Sequence, residues 1–200
     1  MRVGIFGGTF SPPHNGHFNA AYYFKKAMKL DSLLIVPAAV PPNKEGLDLL
    51  PARHRLEMCR LAFSRIPGCE VSSIELDRGG TSYTYETLTA LSAPDRELCL
   101  MMGTDMFLTL DTWRRPDEIL RLATVVVATR SFDSETIDAI KSKREELLSV
   151  YKGNIIFLKN PICEVSSTFL REKIAAGEDV STWLDDGVLE YIKKEKLYDV

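Results

Sequence analysis

The sequence predicts an α/β fold, a doubly wound parallel sheet with helices on both faces and a small helical cap toward the C-terminus. Three observations predict it. Short apolar, strand-like runs recur along the chain, helical patterns separate them in alternation, and no repeat, low-complexity tract or linker-like Gly/Ser/Pro run interrupts that order. The 200 residues therefore read as one domain over 1–200, with 161–200 a purely helical subregion that need not fold alone.

The first run, Val3–Phe6, is a buried strand that breaks at Gly7-Gly8, where the backbone can turn sharply and bring bare N–H groups close to a ligand. A polar, proline-stiffened loop from Thr9 to Pro13 follows. Gly16–Met28 is then helical, with Phe18, Ala21, Tyr22 and Phe24 toward one side. Further strands are expected at Leu33–Val36, Val71–Leu76, Leu98–Met102, Thr124–Ala128 and Ile155–Leu158. The helices between and after them fall at Ala52–Arg65, Thr84–Ser92, Met106–Leu110 with Pro116–Arg121, Ser134–Ser149, Ser167–Ala176 and Gly187–Lys194. The arrangement is Rossmann-like, so ligand-binding loops should gather at the carboxyl ends of the strands.

Composition narrows the function classes. A net charge of −3 and a pI near 5.7 argue against a surface made for non-specific nucleic-acid binding, so any phosphate site must be local. Cys59, Cys69, Cys99 and Cys163 lack Cys-x-x-Cys spacing, which fits reduced core thiols better than a disulfide framework or a zinc site, and no metal-ligand set is expected. Neither a signal-like N-terminus nor an apolar stretch near membrane-spanning length occurs, so a cytoplasmic protein without membrane partners is expected. A homo-oligomer is left open.

Chemistry concentrates at the first turn. Two of the three histidines, His14 and His17, flank the start of the first helix, spaced so that both imidazoles can face an anion held at its N-terminus. The Gly-x-Gly-x-x-Gly of dinucleotide sites and the Gly-Lys-Ser/Thr of P-loops are absent there, which leaves a nucleotide α-phosphate site of another kind. A second helix start, Ser166-Ser-Thr168 with Arg171 one turn on, offers hydroxyls and a guanidinium to an anion, although the same residues would also serve as an ordinary N-cap and a solvated charge. Lys44, after Pro41-Pro42-Asn43, is either a mobile cation closing over phosphates or a solvent-facing lysine. Arg53, His54 and Arg55 read mostly as a solvated helix face.

Three further elements admit two readings each. Gly103-Thr-Asp105 ends an apolar run where a parallel-sheet protein would place a carboxylate against a ribose hydroxyl, an ammonium or a metal. Trp113 is a core residue or a ring-stacking platform. The Gly79–Glu86 loop is a plain connection or a set of backbone donors for a carboxylate or amide.

Taken in order, these pieces resemble the bacterial nicotinate mononucleotide adenylyltransferases, of the nucleotidyltransferase superfamily with a His-x-Gly-His signature. The resemblance runs nearly end to end, through Gly4–His17, Pro41–Lys44, Ser82–Leu88, Gly103–Trp113, Ser166–Arg171 and Tyr191–Tyr198. It implies that Gly8, Thr9, His14 and His17 surround the α-phosphate of ATP with Lys44 assisting, and that Gly7, Phe10, Gly16 and Ser166 complete the ATP site. Ser167, Thr168 and Arg171 would hold the outer phosphates. Thr84 with its neighbours Ser82 and Tyr83 would offer N–H groups to the nicotinate carboxylate, Trp113 would stack on the pyridine, and Gly103 and Asp105 would meet the mononucleotide.

Two positions depart from the family, which usually has Asp where Ser11 stands and His where Asn43 stands. The implied reaction is in-line attack by nicotinate mononucleotide on ATP, giving deamido-NAD and pyrophosphate, with Mg²⁺ bridging the leaving phosphates. Alternatives are nicotinamide mononucleotide or phosphopantetheine as acceptor, or a nucleotide-binding module without turnover.

Overall fold

Period-two burial sets the sheet. Along Arg2–Gly8 (β1), Val3 and Ile5 point into one apolar cluster, while the opposite face carries Gly4, where an added Cβ would lie 2.3 Å from Leu30 Cδ1 and 2.9 Å from Phe24 Cε1. Only glycine lets the first helix lie that close. A computed structural model describes residues 1–42, 49–129, 133–159 and 165–198.

The other strands are Ser32–Pro37 (β2), Cys69–Val71 (β3), Glu97–Gly103 (β4), Ala123–Thr129 (β5) and Asn154–Lys159 (β6). All pair in parallel, in the order β3-β2-β1-β4-β5-β6. The order reverses between β1 and β4, and there the two flanking crossovers leave a crevice at the strand carboxyl ends.

The first helix, Asn15–Ala27 (α1), buries Ala21 and Phe24, whereas Tyr22 is exposed, against expectation. A helix over Ala52–Phe63 (α2) buries Met58, Cys59, Ala62 and Phe63 in the same cluster as Phe24, Leu33 and Ile35. The expected strand Val71–Leu76 is a strand end followed by a short helix, Ile74–Arg78 (α3). Ser72 Oγ accepts from the Ile74 N–H and Ser73 Oγ donates to Asp77 Oδ2, so two serines turn the chain where the apolar run alone suggested continuation.

Thr84–Leu91 (α4), Thr104–Leu108 (α5), Pro116–Leu122 (α6) and Ser134–Val150 (α7) follow, with a 3-10 turn over Leu110–Thr112. Leu88, Phe107, Leu110, Ile119, Ile140 and Leu147 pack with Leu100 and Val125 on the second face of the sheet. The chain closes with Ser167–Ala175 (α8) and Asp186–Glu195 (α9), whose Leu170, Val188 and Ile192 join the first face. α9 lies along α2, and Arg65 reaches Asp185 at its cap, 3.0 Å away.

Candidate active site

The loop after β1 is built around the Phe10 ring and two glycines. Phe10 takes a left-handed backbone (φ 51°) and turns its ring under Gly8, where an added Cβ would meet it at 2.9 Å. That ring packs edge-on against Phe6, Phe63 and His17, at 5.4, 5.8 and 5.1 Å between centroids. His17 is thereby braced from below. His14 caps α1, and its ring lies 3.7 Å from that of His17. Gly16 sits against the His14 ring, 3.0 Å from where a Cβ would stand.

The backbone N–H of His14 donates to Nδ1 of His17 across 3.3 Å. That nitrogen must then be an acceptor, which assigns the ring proton of a neutral His17 to Nε2, the nitrogen directed away from its own helix turn. A fixed tautomer of this kind gives a donor whose direction is set before a ligand arrives.

The start of α8 is fastened to the same loop. Ser167 Oγ donates to the Pro12 carbonyl (2.9 Å), Arg171 Nη1 to the Ser11 carbonyl (2.9 Å) and Arg171 Nη2 to Thr168 Oγ1 (3.1 Å). Ser166 caps the helix by accepting from the Phe169 N–H. Two helix N-termini thus converge on residues 9–14, one bearing His14 and His17, the other Ser167, Thr168 and Arg171. Their dipoles and donors add at one place, and what such a place suits is a multiply charged anion.

Ser11 is buried, and its hydroxyl lies 3.1 Å from that of Tyr198 near the chain end, so the position that departs from the family pattern serves as a link to the C-terminal segment. Burial pushes the Tyr198 phenol up from its usual value, which keeps it neutral and able to share this bond.

The other expected residues line the neighbouring strand ends. Gly103 ends β4, two residues beyond Met101, which pairs with Phe6 of β1. Asp105 is exposed in the first turn of α5. Thr84 begins α4 and Tyr83 is its N-cap, with Arg114 stacked 4.6 Å over the Tyr83 ring. Trp113 is half-buried against the second core cluster. Ser82 is buried, and its Oγ accepts from the Ala39 N–H at 2.8 Å. Lys44 and Asn43 lie outside the described residues. Among the described residues, no group of three His, Cys, Asp or Glu side chains could hold a metal ion.

One correction concerns α2. His54 and Arg55 are buried rather than solvated. His54 Nε2 accepts from Arg53, so its Nδ1 N–H donates to the Tyr191 hydroxyl of α9 (2.9 Å). Arg55 spends its guanidinium on backbone carbonyls of the loops after β1 and β2. The sequence held the signal. Arg55, Met58, Cys59, Ala62 and Phe63 follow the i, i+3, i+4, i+7, i+8 spacing of a buried stripe, which places Arg55 on the inner face whatever its charge.

Comparison with known proteins bears on the family and the fold. A family profile described as cytidylyltransferase-like matches residues 5–173. A protein of Roseiflexus sp. (strain RS-1), named "probable nicotinate-nucleotide adenylyltransferase", is 39% identical over 98% of this chain and 97% of its own. One of the same name from Clostridium botulinum (strain Eklund 17B / Type B) is 38% identical, covering 98% of both. The fold also matches Plasmodium falciparum nicotinic acid mononucleotide adenylyltransferase complexed with NaAD, with a TM-score of 0.75 at 16% identity, over 98% of this chain and 97% of that one.

Proposed function

The chain belongs to the cytidylyltransferase-like family, among the nicotinate-nucleotide adenylyltransferases, and from that membership we propose that it transfers AMP from ATP to nicotinate mononucleotide. The products are nicotinate adenine dinucleotide and pyrophosphate, a step of NAD biosynthesis. The observation that carries this reading is the convergence of the α1 and α8 N-termini on residues 9–14.

An oxygen of the acceptor's 5′-phosphate attacks the α-phosphorus of ATP in line. A new P–O bond forms there as the bond to the β-phosphate oxygen breaks, and pyrophosphate leaves. The nucleophile is already anionic, so the protein has no proton to remove. Its task is to hold two repelling phosphates in register and to meet the charge that grows on the transferring group. His17 would donate from Nε2 to an α-phosphate oxygen, with His14 beside it and the N–H groups at Gly7, Gly8, Thr9, Phe10 and Gly16 close by. Ser166, Ser167, Thr168 and Arg171 would hold the β- and γ-phosphates, and Lys44 would add a further cation.

Nucleotidyl transfer of this kind generally uses a divalent metal, here taken as Mg²⁺. Neither of the two helix starts carries a carboxylate in its first turn, which suits a metal that would arrive with ATP and lower the charge of its phosphates. At the acceptor end, Tyr83 and Thr84 at the start of α4 would present N–H groups to the nicotinate carboxylate, which accepts only, where an amide also needs an acceptor, and Ser82, whose own N–H is taken by the Val40 carbonyl, would hold that segment in place. Trp113 would cover the ring, and Gly103 and Asp105 would meet the mononucleotide. Small nucleotide substrates and the free thiols of Cys59, Cys69 and Cys99 fit a single-domain enzyme of the cytoplasm.

The stereochemistry at phosphorus tests the direct route. With ATP carrying sulfur on a chiral α-phosphorus, the dinucleotide should form with inversion, and retention would mean a covalent enzyme intermediate.

A further inference from the structure

Arg55 is 2% exposed, and among the described residues no carboxylate pairs with it. Its donors go to four carbonyls. Nε reaches Leu50 (3.0 Å), Nη1 reaches Thr9 (3.1 Å) and Ala38 (2.6 Å), and Nη2 reaches Ala39 (3.2 Å). Thr9 lies in the loop proposed for the ATP α-phosphate. Ala38 and Ala39 follow β2, and Ala38 also donates its N–H to the Gly8 carbonyl (2.9 Å).

The network then continues to the acceptor side. The Ala39 N–H donates to Ser82 Oγ, and the Ser82 N–H donates to the Val40 carbonyl, each at 2.8 Å. Val40 and Thr81 form a parallel bridge. The buried fork therefore joins the loop that would hold ATP to the segment after β2, and that segment in turn holds the one that starts α4 and would hold the acceptor.

We propose that Arg55 is a positioning residue for adenylyl transfer, setting the ATP loop and the acceptor segment in register by clamping the Thr9 and Ala39 carbonyls in one rigid guanidinium. The inference rests on the reaction proposed above. A planar fork with donors fixed in direction can do this, whereas a lysine ammonium offers three donors on a flexible stem. Binding of each substrate alone uses only one side of the clamp. The transition state needs both sides in register, so loss of the clamp falls on kcat.

The test compares Arg55→Lys and Arg55→Met with the unaltered enzyme in steady-state kinetics, alongside dissociation constants for a non-hydrolysable ATP analogue and for nicotinate mononucleotide. Expected is a fall of at least about 30-fold in kcat for both variants, with each dissociation constant within about threefold. A 1 Å misplacement can cost about 10²-fold. Full kcat in either variant would overturn the clamp, as would a loss confined to one substrate's binding. Inactivity of the unaltered enzyme would instead overturn the proposed reaction.

Should a variant fail to fold, Ser82→Ala breaks the same network without emptying a buried charge site. It should show the kcat loss, smaller in size, and unchanged kcat there would also count against the clamp.

Discussion

At the scale of single residues, His17 shows how a short motif acquires direction. The pair of histidines was legible in the sequence because glycine, histidine and helix start fall together. What the sequence did not show is the Nδ1 contact to the His14 N–H, which fixes the donor on Nε2. Changing His17 to alanine should lower kcat by about 10²–10³ with little change in KM, since a preorganised donor acts most strongly on the transition state; steady-state kinetics with near-normal kcat would contradict the role. Gly16→Ala makes a different demand. Its Cβ would meet the His14 ring at 3.0 Å and Val165 Cγ1 at 3.3 Å, so the ring must shift and turnover should fall while the circular dichroism spectrum stays unchanged. The burial of Arg55 is hard to read for a physical reason: its charge points to solvent, and three of the four carbonyls that satisfy it, those of Thr9, Ala38 and Ala39, come from other segments of the chain.

Elements formed where local and long-range signals agreed. α1 was legible from its apolar spacing and α8 from its capping hydroxyls, and both end close to the expected positions. β3 and α3 were not, because the run from Val71 to Leu76 carries apolar residues compatible with either element. There the outcome depends on Glu75, a buried carboxylate that accepts from Thr87 Oγ1 of α4 at 2.6 Å, a contact no local pattern contains. Capping also predicts a measurable cost. Ser166→Ala removes the acceptor for the Phe169 N–H and should lower unfolding free energy by about 0.5–2 kcal/mol. Denaturant titration would detect it. A value indistinguishable from the parent would show that α8 is held by its docking on Pro12 and Ser11 alone.

For the whole molecule, alternation of strand and helix was enough to give a parallel sheet, and its strand order follows from crossovers that cover both faces. The sequence could not show that residues 165–198 pack on the α1–α2 face and fasten the loop after β1 through Ser167, Arg171 and Tyr198, because those contacts span most of the chain. Core thiols lend the fold a pH signature. Burial pushes Cys69 and Cys99 up to about 11 and Cys59 further still. A group held protonated in the folded state gives stability that is complete below the unfolded thiol's pKa, near 9, and is lost as pH rises through the folded value. Under reducing conditions, Tm should therefore fall steadily from about pH 9 to pH 11, and Cys59→Ala should make the fall shallower. A flat profile would contradict the burial of these thiols.

The central claim is adenylyl transfer to an acidic pyridine mononucleotide, and pyrophosphate release from Mg–ATP tests it most directly, with nicotinate mononucleotide, nicotinamide mononucleotide and phosphopantetheine supplied in parallel. The account predicts release much faster with the acid than with the other two. Equal rates with acid and amide would contradict the reading of residues 82–84 as a carboxylate site, and no release with any of the three would contradict the proposed reaction itself.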